Sequence, residues 1–177
     1  MLGIISKLFG GSKSEKDVKL LMPLVDKTNR FFTEYQGLSN DQLRNKTAQF
    51  KQRINEHLSG IDAEITAKKE AAETLPVADI NGRDAIYKEV DDLKKKRDTQ
   101  IEEVLKEILP EAFAVVKETS RRFKENEVVV STATELDKEL AAKKDNITIV
   151  GDESHYKNSW TAAGGTVTWN MVHYDVQ

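Results

Sequence analysis

The 177-residue sequence has no cysteine, three prolines and few aromatic residues (7%). The absence of cysteine excludes disulfides and thiolate metal sites, and it fits a reducing compartment. No apolar run approaches the roughly 18–20 residues of a membrane span, and no Walker-type phosphate loop or H-E-x-x-H pattern is present. The net charge of -3 gives no general case for nucleic-acid binding. These absences, with no secretion-signal pattern at the start, predict a cytosolic chain.

Apolar residues recur at helical spacing over most of the first 124 positions, which predicts long helices. Ser39, with a glutamine three residues later, forms a capping-box pattern at the start of a long helix that Pro76 ends. From Asp84 to Ile108 the apolar spacing alternates between threes and fours, as it does along a coiled-coil seam. These two predicted helices, joined by a short connection, would form an antiparallel hairpin.

Local signals place the boundaries of these predicted helices. Asn81–Gly82 predicts a turn inside the connection of the hairpin. Pro110 suits the first turn of a further helix that continues to Lys124. Residues 55–108 contain nine Lys/Arg and fourteen Asp/Glu, so the outer face of the hairpin is expected to be acidic.

After these helices the apolar period changes. Val128–Val130 and Ile147–Val150 predict short strands, and residues 166–170 alternate as a third strand would. Between the first two, Thr134 predicts the cap of a helix that runs to Lys144. The predicted fold class is mainly α, with a long antiparallel helical hairpin, packed helices and a small mixed β element near the C-terminus.

The opening residues predict a short amphipathic helix. Its apolar face would carry Leu2, Ile5, Leu8 and Phe9. This face could pack on the protein, or it could lie on an anionic lipid surface that attracts Lys7 and the lysines after it. The residues alone leave both alternatives open.

The final residues form a pattern that suits recognition of adenine. The Tyr174 ring could stack on the purine, and the Gln177 amide could make a bidentate contact with the exocyclic amine and N7. From spacing alone, a purely structural role for this pair is favoured.

Several blocks resemble one protein family, the preprotein translocase ATPases called SecA. Residues 109–118, followed by Thr-Ser-Arg-Arg, closely resemble the signature helix near the N-terminus of that family. Residues 38–50 resemble the helix just upstream, and Met171–Gln177 is similar to the segment that leads into the first nucleotide-binding domain. The amphipathic opening, Leu2 to Phe9, is also similar.

The resemblance implies a cytosolic motor, peripheral at the inner face of the bacterial plasma membrane. Such a motor uses ATP and Mg²⁺ to push preprotein substrates through the SecY channel complex. This chain would be its N-terminal piece, without the phosphate-binding loop, so no catalytic residue or metal ligand is placed on it. No useful binding or hydrolysis of ATP by this piece alone is expected, because phosphoryl transfer depends on groups that position the phosphates.

The resemblance also implies two sets of site residues. The adenine pocket would include Met171, Tyr174 and Gln177. Contact with anionic lipid or with the channel would involve Leu2, Ile5, Lys7, Leu8 and Phe9. No nucleic-acid partner is implied.

The resemblance divides the chain into four parts. They are an N-terminal amphipathic segment with helices (1–54), an inserted acidic helical hairpin (55–108), the signature helix (109–126) and a small α/β element leading into a truncated nucleotide-binding domain (127–177). Residues 55–108 and 124–169 widen connections that are usually short in the family, so we interpret them as lineage-specific insertions. The competing hypothesis is a free-standing helical protein-interaction module with a weak membrane-surface helix.

Overall fold

The computed structural model describes residues 13–175, and this range is mainly helical with a small β part. Its elements in chain order are α1 (Lys13–Tyr35), α2 (Asn40–Thr74), α3 (Ile80–Glu125), β1 (Val128–Thr132), α4 (Glu135–Ala141), β2 (Ile147–Val150), β3 (Glu153–Lys157), β4 (Ser159–Ala162) and β5 (Gly165–Thr168). The predicted fold class is therefore confirmed. In this range no helix combines the length and apolar character needed to cross a membrane.

The chain divides into two compact units. Residues 45–109 form the first, which we call the hairpin unit. The described residues before and after that stretch, 13–44 and 110–175, form the second, which we call the mixed unit.

The hairpin unit has an apolar seam between its two helical arms. The buried residues of this seam are Leu58, Ile61, Ile65, Val90 and Leu93. At its margin Arg97 pairs with Asp62, and the second hydrogen bond of this pair, from Nη2 to Oδ2, measures 3.3 Å. Lys68 forms a second ion pair across the arms, with Glu89. The sequence separation of the paired residues falls from 35 for Asp62 and Arg97 to 21 for Lys68 and Glu89, as pairing between the arms of an antiparallel hairpin requires.

The second arm of the hairpin begins earlier than its sequence predicts. The prediction of a turn at Asn81–Gly82 is wrong, because α3 already begins at Ile80. The Asp79 carboxylate accepts a hydrogen bond from the Gly82 backbone N–H at 3.0 Å, as an N-cap does. This cap starts the helix one turn before the apolar pattern becomes regular.

Pro110 lies inside α3 and does not start a new helix, so that part of the prediction is wrong. A proline inside a helix removes one backbone hydrogen bond and crowds the preceding turn. Buried residues nevertheless recur at a spacing of four on both sides of the proline, at Val104 and Ile108 before it and at Ala114 and Glu118 after it. Their burial favours one continuous helix over a break at the proline.

The β part of the mixed unit consists of a three-stranded sheet in the order β1-β3-β2 and a separate β4-β5 pair. Every pairing among the described strands is antiparallel, so the expected mixed element is an antiparallel one. Strands β3 and β4 were not predicted, since Glu153–Lys157 is largely polar. Helix α4 ends at Ala141 and β5 spans Gly165–Thr168, so both elements are shorter than predicted.

Two-residue turns close the two β-hairpins. Gly151 has a φ of 59° in the turn between β2 and β3. Ala163 and Gly164, between β4 and β5, have φ values of 50° and 79°. Positive φ at both central positions is the requirement of a type I′ turn, which Asn-Gly satisfies best. Ala163 therefore holds a left-handed backbone that its Cβ disfavours.

The apolar core of the mixed unit lies where α1, the start of α2 and α3 meet. Its buried members are Tyr35, Leu43 and Ala114. Partly buried neighbours complete it, namely Phe31, Phe32, Leu38 and Val115. The predicted capping box at the start of α2 is confirmed, because the Gln42 N–H donates to Ser39 Oγ at 3.1 Å and the Ser39 N–H donates to Gln42 Oε1 at 2.8 Å.

Candidate functional site

A buried pair of charges, Glu118 and Arg122, joins three elements of the mixed unit. Arg122 Nε donates to Glu118 Oε1 at 2.8 Å, and Nη1 donates to Asn40 Oδ1 at 2.6 Å. Its remaining nitrogen, Nη2, donates to the backbone carbonyls of Leu38 and Tyr35, at 2.7 and 3.1 Å. One guanidinium on α3 thereby donates hydrogen bonds to backbone carbonyls at and just after the end of α1. It also donates to the side chain of Asn40, the first residue of α2.

Glu118 has no exposed surface and is held by a second arginine as well. Arg121 Nε donates to Oε2 and Arg121 Nη2 to Oε1, each at 2.8 Å. Burial alone would raise the pKa of Glu118, but the hydrogen bonds from the two arginines outweigh it and hold the pKa below its ordinary value. The carboxylate is therefore ionised inside the unit.

Asp137 is the second buried carboxylate of the mixed unit. It accepts from Arg44 Nη2 at 2.7 Å, from the Thr134 N–H at 2.7 Å and from the Tyr156 hydroxyl. Burial would raise the pKa of Asp137, yet the hydrogen bonds from Tyr156, Thr134 and Arg44 lower it strongly. Burial and the same carboxylate raise the pKa of Tyr156 to about 12. This cluster attaches α2 to α4 and to the sheet.

Two of the three predicted adenine-pocket residues, Met171 and Tyr174, belong to the segment 169–175, which follows β5. The Trp169 indole N–H donates to the Ser120 carbonyl at 3.1 Å and to the Met171 carbonyl at 2.9 Å. Ser120 Oγ also lies 3.2 Å from His173 Nδ1. Two residues of the segment are therefore attached to one position on α3.

A third attachment involves Asp175 and a lysine on α3. Lys117 Nζ donates to Asp175 Oδ1 at 2.8 Å and to Asn29 Oδ1 at 2.9 Å. The Asn29 amide donates to Asp175 Oδ2 at 3.1 Å, which closes a triangle of polar groups. Hydrogen bonds from Lys117 and then Asn29 lower the pKa of Asp175. The ammonium also lies 5.1 Å from the centroid of the Phe32 ring.

The structure leaves the side chains of two predicted adenine-pocket residues open to solvent. Met171 is 39% exposed and Tyr174 is 76% exposed. Gln177 lies outside the described residues. The predicted lipid-contact or channel-contact residues also lie outside them, namely Leu2, Ile5, Lys7, Leu8 and Phe9.

An apolar groove of about 360 Å³ adjoins the segment at Trp169. Its walls include Val115, Val116 and Phe123 from α3, together with Trp160. Aromatic and aliphatic walls of this kind can accept an apolar group. The lining also includes polar residues, among them Lys157 and Asn158.

Sequence comparisons give the family of this chain. A family model described as the SecA DEAD-like domain matches residues 5–177. The chain belongs to the SecA family. Proteins named Protein translocase subunit SecA are 43% identical over 177 residues in Cytophaga hutchinsonii, 45% over 173 in Flavobacterium psychrophilum and 46% over 176 in Christiangramia forsetii. No solved structure gives a significant match.

The matches cover nearly all of this chain but a small part of each SecA relative. They include 100%, 98% and 99% of this chain, and the chain spans only 15–16% of the length of those three curated relatives. Residues 55–108 therefore lie inside the stretch that these SecA proteins share with it.

The residues that attach the segment 169–175 were not singled out from the sequence. They are Asn29, Lys117, Ser120, His173 and Asp175. Lys117 and Ser120 belong to the block that resembles the SecA signature helix, and their spacing of three places them on one helix face. That shared face was the available signal, although nothing in the sequence names its partner.

Proposed function

We propose that this chain is the N-terminal part of an ATP-driven motor that moves secretory preproteins through the SecY channel. In this proposal residues 171–177 supply part of the adenine pocket. The observation that carries it is the segment 169–175, which is attached to α3 while the side chains of Met171 and Tyr174 are exposed. Membership of the SecA family supports it independently.

The proposed chemistry divides between this chain and the residues that follow it in the motor. An aromatic face and an amide can recognise a purine base, because stacking and paired hydrogen bonds need no charge. Hydrolysis needs groups that hold the phosphates and the Mg²⁺ ion, and the proposal places these after Gln177. The motor works in the cytoplasm, peripheral to the inner face of the plasma membrane.

The coding sequence directly after Gln177 offers a simple test. A glycine-rich loop ending in Gly-Lys-Thr is expected, since such a loop holds phosphates. A stop codon there would favour the free-standing interaction module. We also expect the purified 177-residue chain to hydrolyse no ATP above a blank, and measurable hydrolysis would contradict the proposed division of labour.

Replacement of Tyr174 tests the adenine pocket itself. In the full-length protein, Tyr174→Ala is expected to raise the KM for ATP about tenfold, because stacking on a base contributes about 1–3 kcal/mol. Tyr87→Ala is the matched control, since Tyr87 is a half-exposed tyrosine of the hairpin unit. An unchanged KM in Tyr174→Ala would remove this residue from the pocket.

The lipid part of the proposal needs a separate measurement. Binding of the full-length protein to vesicles that contain anionic lipid should weaken at high salt and in a Leu8→Asp variant, because a short apolar face and a few lysines bind weakly. Binding that neither change affects would assign membrane contact to other residues.

A further inference from the structure

The triangle of Lys117, Asn29 and Asp175 joins three separate parts of the chain. Lys117 comes from α3, Asn29 from α1 and Asp175 from the segment after β5. The Lys117 side chain is only 16% exposed, and its ammonium lies by the Phe32 ring. A lysine that is largely covered and donates to two side-chain oxygens is more constrained than a typical surface lysine.

We infer that Lys117, together with Asn29, is a positioning residue that holds the adenine-reading segment in place through Asp175. This inference rests on the proposed function, because the segment needs an exact position only if it binds a base. Neither residue is expected to touch the nucleotide.

The segment needs such an anchor because regular structure does not hold it. Residues 169–174 belong to no helix or strand. The Trp169 N–H donates to the Asn158 carbonyl at 2.8 Å, but this bond sets only the start of the segment. Asp175 directly follows Tyr174 and comes two positions before Gln177. Fixing this carboxylate therefore limits where the adjacent ring of Tyr174, the proposed stacking group, can lie.

A second anchor limits rotation of the segment about the first. The Ser120 carbonyl accepts a hydrogen bond from the Trp169 indole N–H, and the Ser120 hydroxyl lies within hydrogen-bond distance of His173 Nδ1. Ser120 is one helical turn from Lys117, so both anchors lie on the same face of α3. Contacts at positions 169, 173 and 175 together define both the place and the direction of the segment.

This role predicts a loss that is specific for the base. The phosphates of a nucleotide would bind elsewhere in the motor, so a displaced segment should weaken adenine recognition and leave phosphate binding intact. The ratio of affinities for adenine and guanine nucleotides reports this difference. General destabilisation of the protein would lower both affinities together.

The experiment compares four variants of the full-length protein in equilibrium binding of mant-ADP and mant-GDP. Lys117→Met and Asp175→Asn are expected to lower the mant-ADP affinity about tenfold, the usual effect of losing one charge-assisted hydrogen bond. The mant-GDP affinity should change less than about twofold, within ordinary variation for a site that is not touched. Lys117→Arg keeps the positive charge and should retain most of the preference for mant-ADP over mant-GDP.

Lys106→Met is the matched control, because Lys106 lies on α3 and pairs only loosely with Glu102, at 3.6 Å. Its adenine preference should equal that of the unmodified protein. Asp175→Asn protects the test against misfolding, since the Asp175 side chain is 54% exposed and its replacement removes no core contact.

Three outcomes would overturn the inference or its basis. An unchanged ratio in both Lys117→Met and Asp175→Asn would show that the triangle does not position the segment. Equal losses for both nucleotides would assign the triangle a structural role alone. If the unmodified protein does not prefer adenine, the proposed function of the segment fails, whatever the variants do.

Discussion

The hairpin unit and the mixed unit of this SecA-family chain bury different kinds of side chain. The hairpin unit buries aliphatic residues such as Leu58 and Val90 and leaves its ion pairs at the surface. The mixed unit instead encloses the charges of Glu118, Arg122 and Asp137. An apolar seam tolerates changes at its margin, whereas a buried charge depends on each of its partners. The two units should therefore respond differently to the same kind of substitution.

The largest expected effect is that of Arg122→Met in the mixed unit. It leaves Glu118 with one arginine and removes the donor from two backbone carbonyls, which should cost about 3–5 kcal/mol. Both tryptophans lie in the mixed unit, so urea unfolding followed by tryptophan fluorescence reports this loss.

Arg97→Met is the matched change in the hairpin unit, where the Arg97–Asp62 pair is partly exposed. Circular dichroism at urea concentrations near the unfolding midpoint of the hairpin unit should show a much smaller loss of stability for Arg97→Met than Arg122→Met causes in the mixed unit. Equal losses in the two units would remove the contrast between them.

Leu58→Ala tests the apolar side of the comparison. Leu58 is 3% exposed in the seam of the hairpin unit, so its truncation should cost about 3 kcal/mol through lost burial and a cavity. Leu105→Ala, at a half-exposed position of the same unit, is the control and should cost less than about 1 kcal/mol. Helical circular dichroism during urea unfolding measures both. A Leu58 variant as stable as the control would contradict the assigned core.

The stability of the two units should also differ in its dependence on acid pH. The pKa of Asp137 is lowered from an ordinary 3.8 in the folded protein, so its contribution is full above that pH. As pH falls below 3.8 toward the folded pKa, the carboxylate is protonated and the contribution is lost. The fluorescence-detected stability of the mixed unit should therefore fall steeply in that window.

Asp137→Asn provides the control for this acid effect. It should cost about 2 kcal/mol at pH 7, the range for hydrogen bonds to a charged group. The variant should also show a flatter stability profile below pH 4, since the ordinary pKa of the missing carboxyl is 3.8. An equally steep profile in the variant would assign the acid sensitivity to other groups, with Glu118 the first to consider.

The smallest predicted effect is a gain. Ala163→Asn should stabilise the β4-β5 turn by up to about 1 kcal/mol, because asparagine tolerates the left-handed backbone that Ala163 adopts. Ala162→Asn, one residue earlier in β4, should be neutral or destabilising, since asparagine is a poor strand residue. The same fluorescence-detected unfolding measures both variants. A loss in Ala163→Asn would mean that contacts of the turn outweigh its backbone strain.

The helices could be predicted because their causes are local. The capping box at Ser39 and the regular apolar spacing after it predict α2 with little further information. The two errors in α3 have the same origin, since Asn81–Gly82 and Pro110 are strong local signals that other interactions override. At the first, the Asp79 cap prevails, and at the second, burial on both sides of the proline does.

The contacts of the candidate site could not be predicted in the same way. Lys117 and Asp175 are 58 positions apart, and Asn29 and Asp175 are 146 apart. Hydrogen bonds between distant polar side chains leave no periodic pattern in the sequence, and they form only when the fold brings the partners together. The family blocks singled out residues 171–177, whose role as an adenine pocket stays a prediction, whereas the attachment of the segment to α3 required the structure.

The guanidinium of Arg122 has a consequence for the substitutions that this position can accept. Its three nitrogens donate to acceptors that lie in different directions, on Glu118, on Asn40 and on two backbone carbonyls. A lysine has the same charge, but all its protons are on one nitrogen, so it cannot span that arrangement. A designed library that treats arginine and lysine as interchangeable would therefore remain viable at position 97 and lose most of its folded members at position 122.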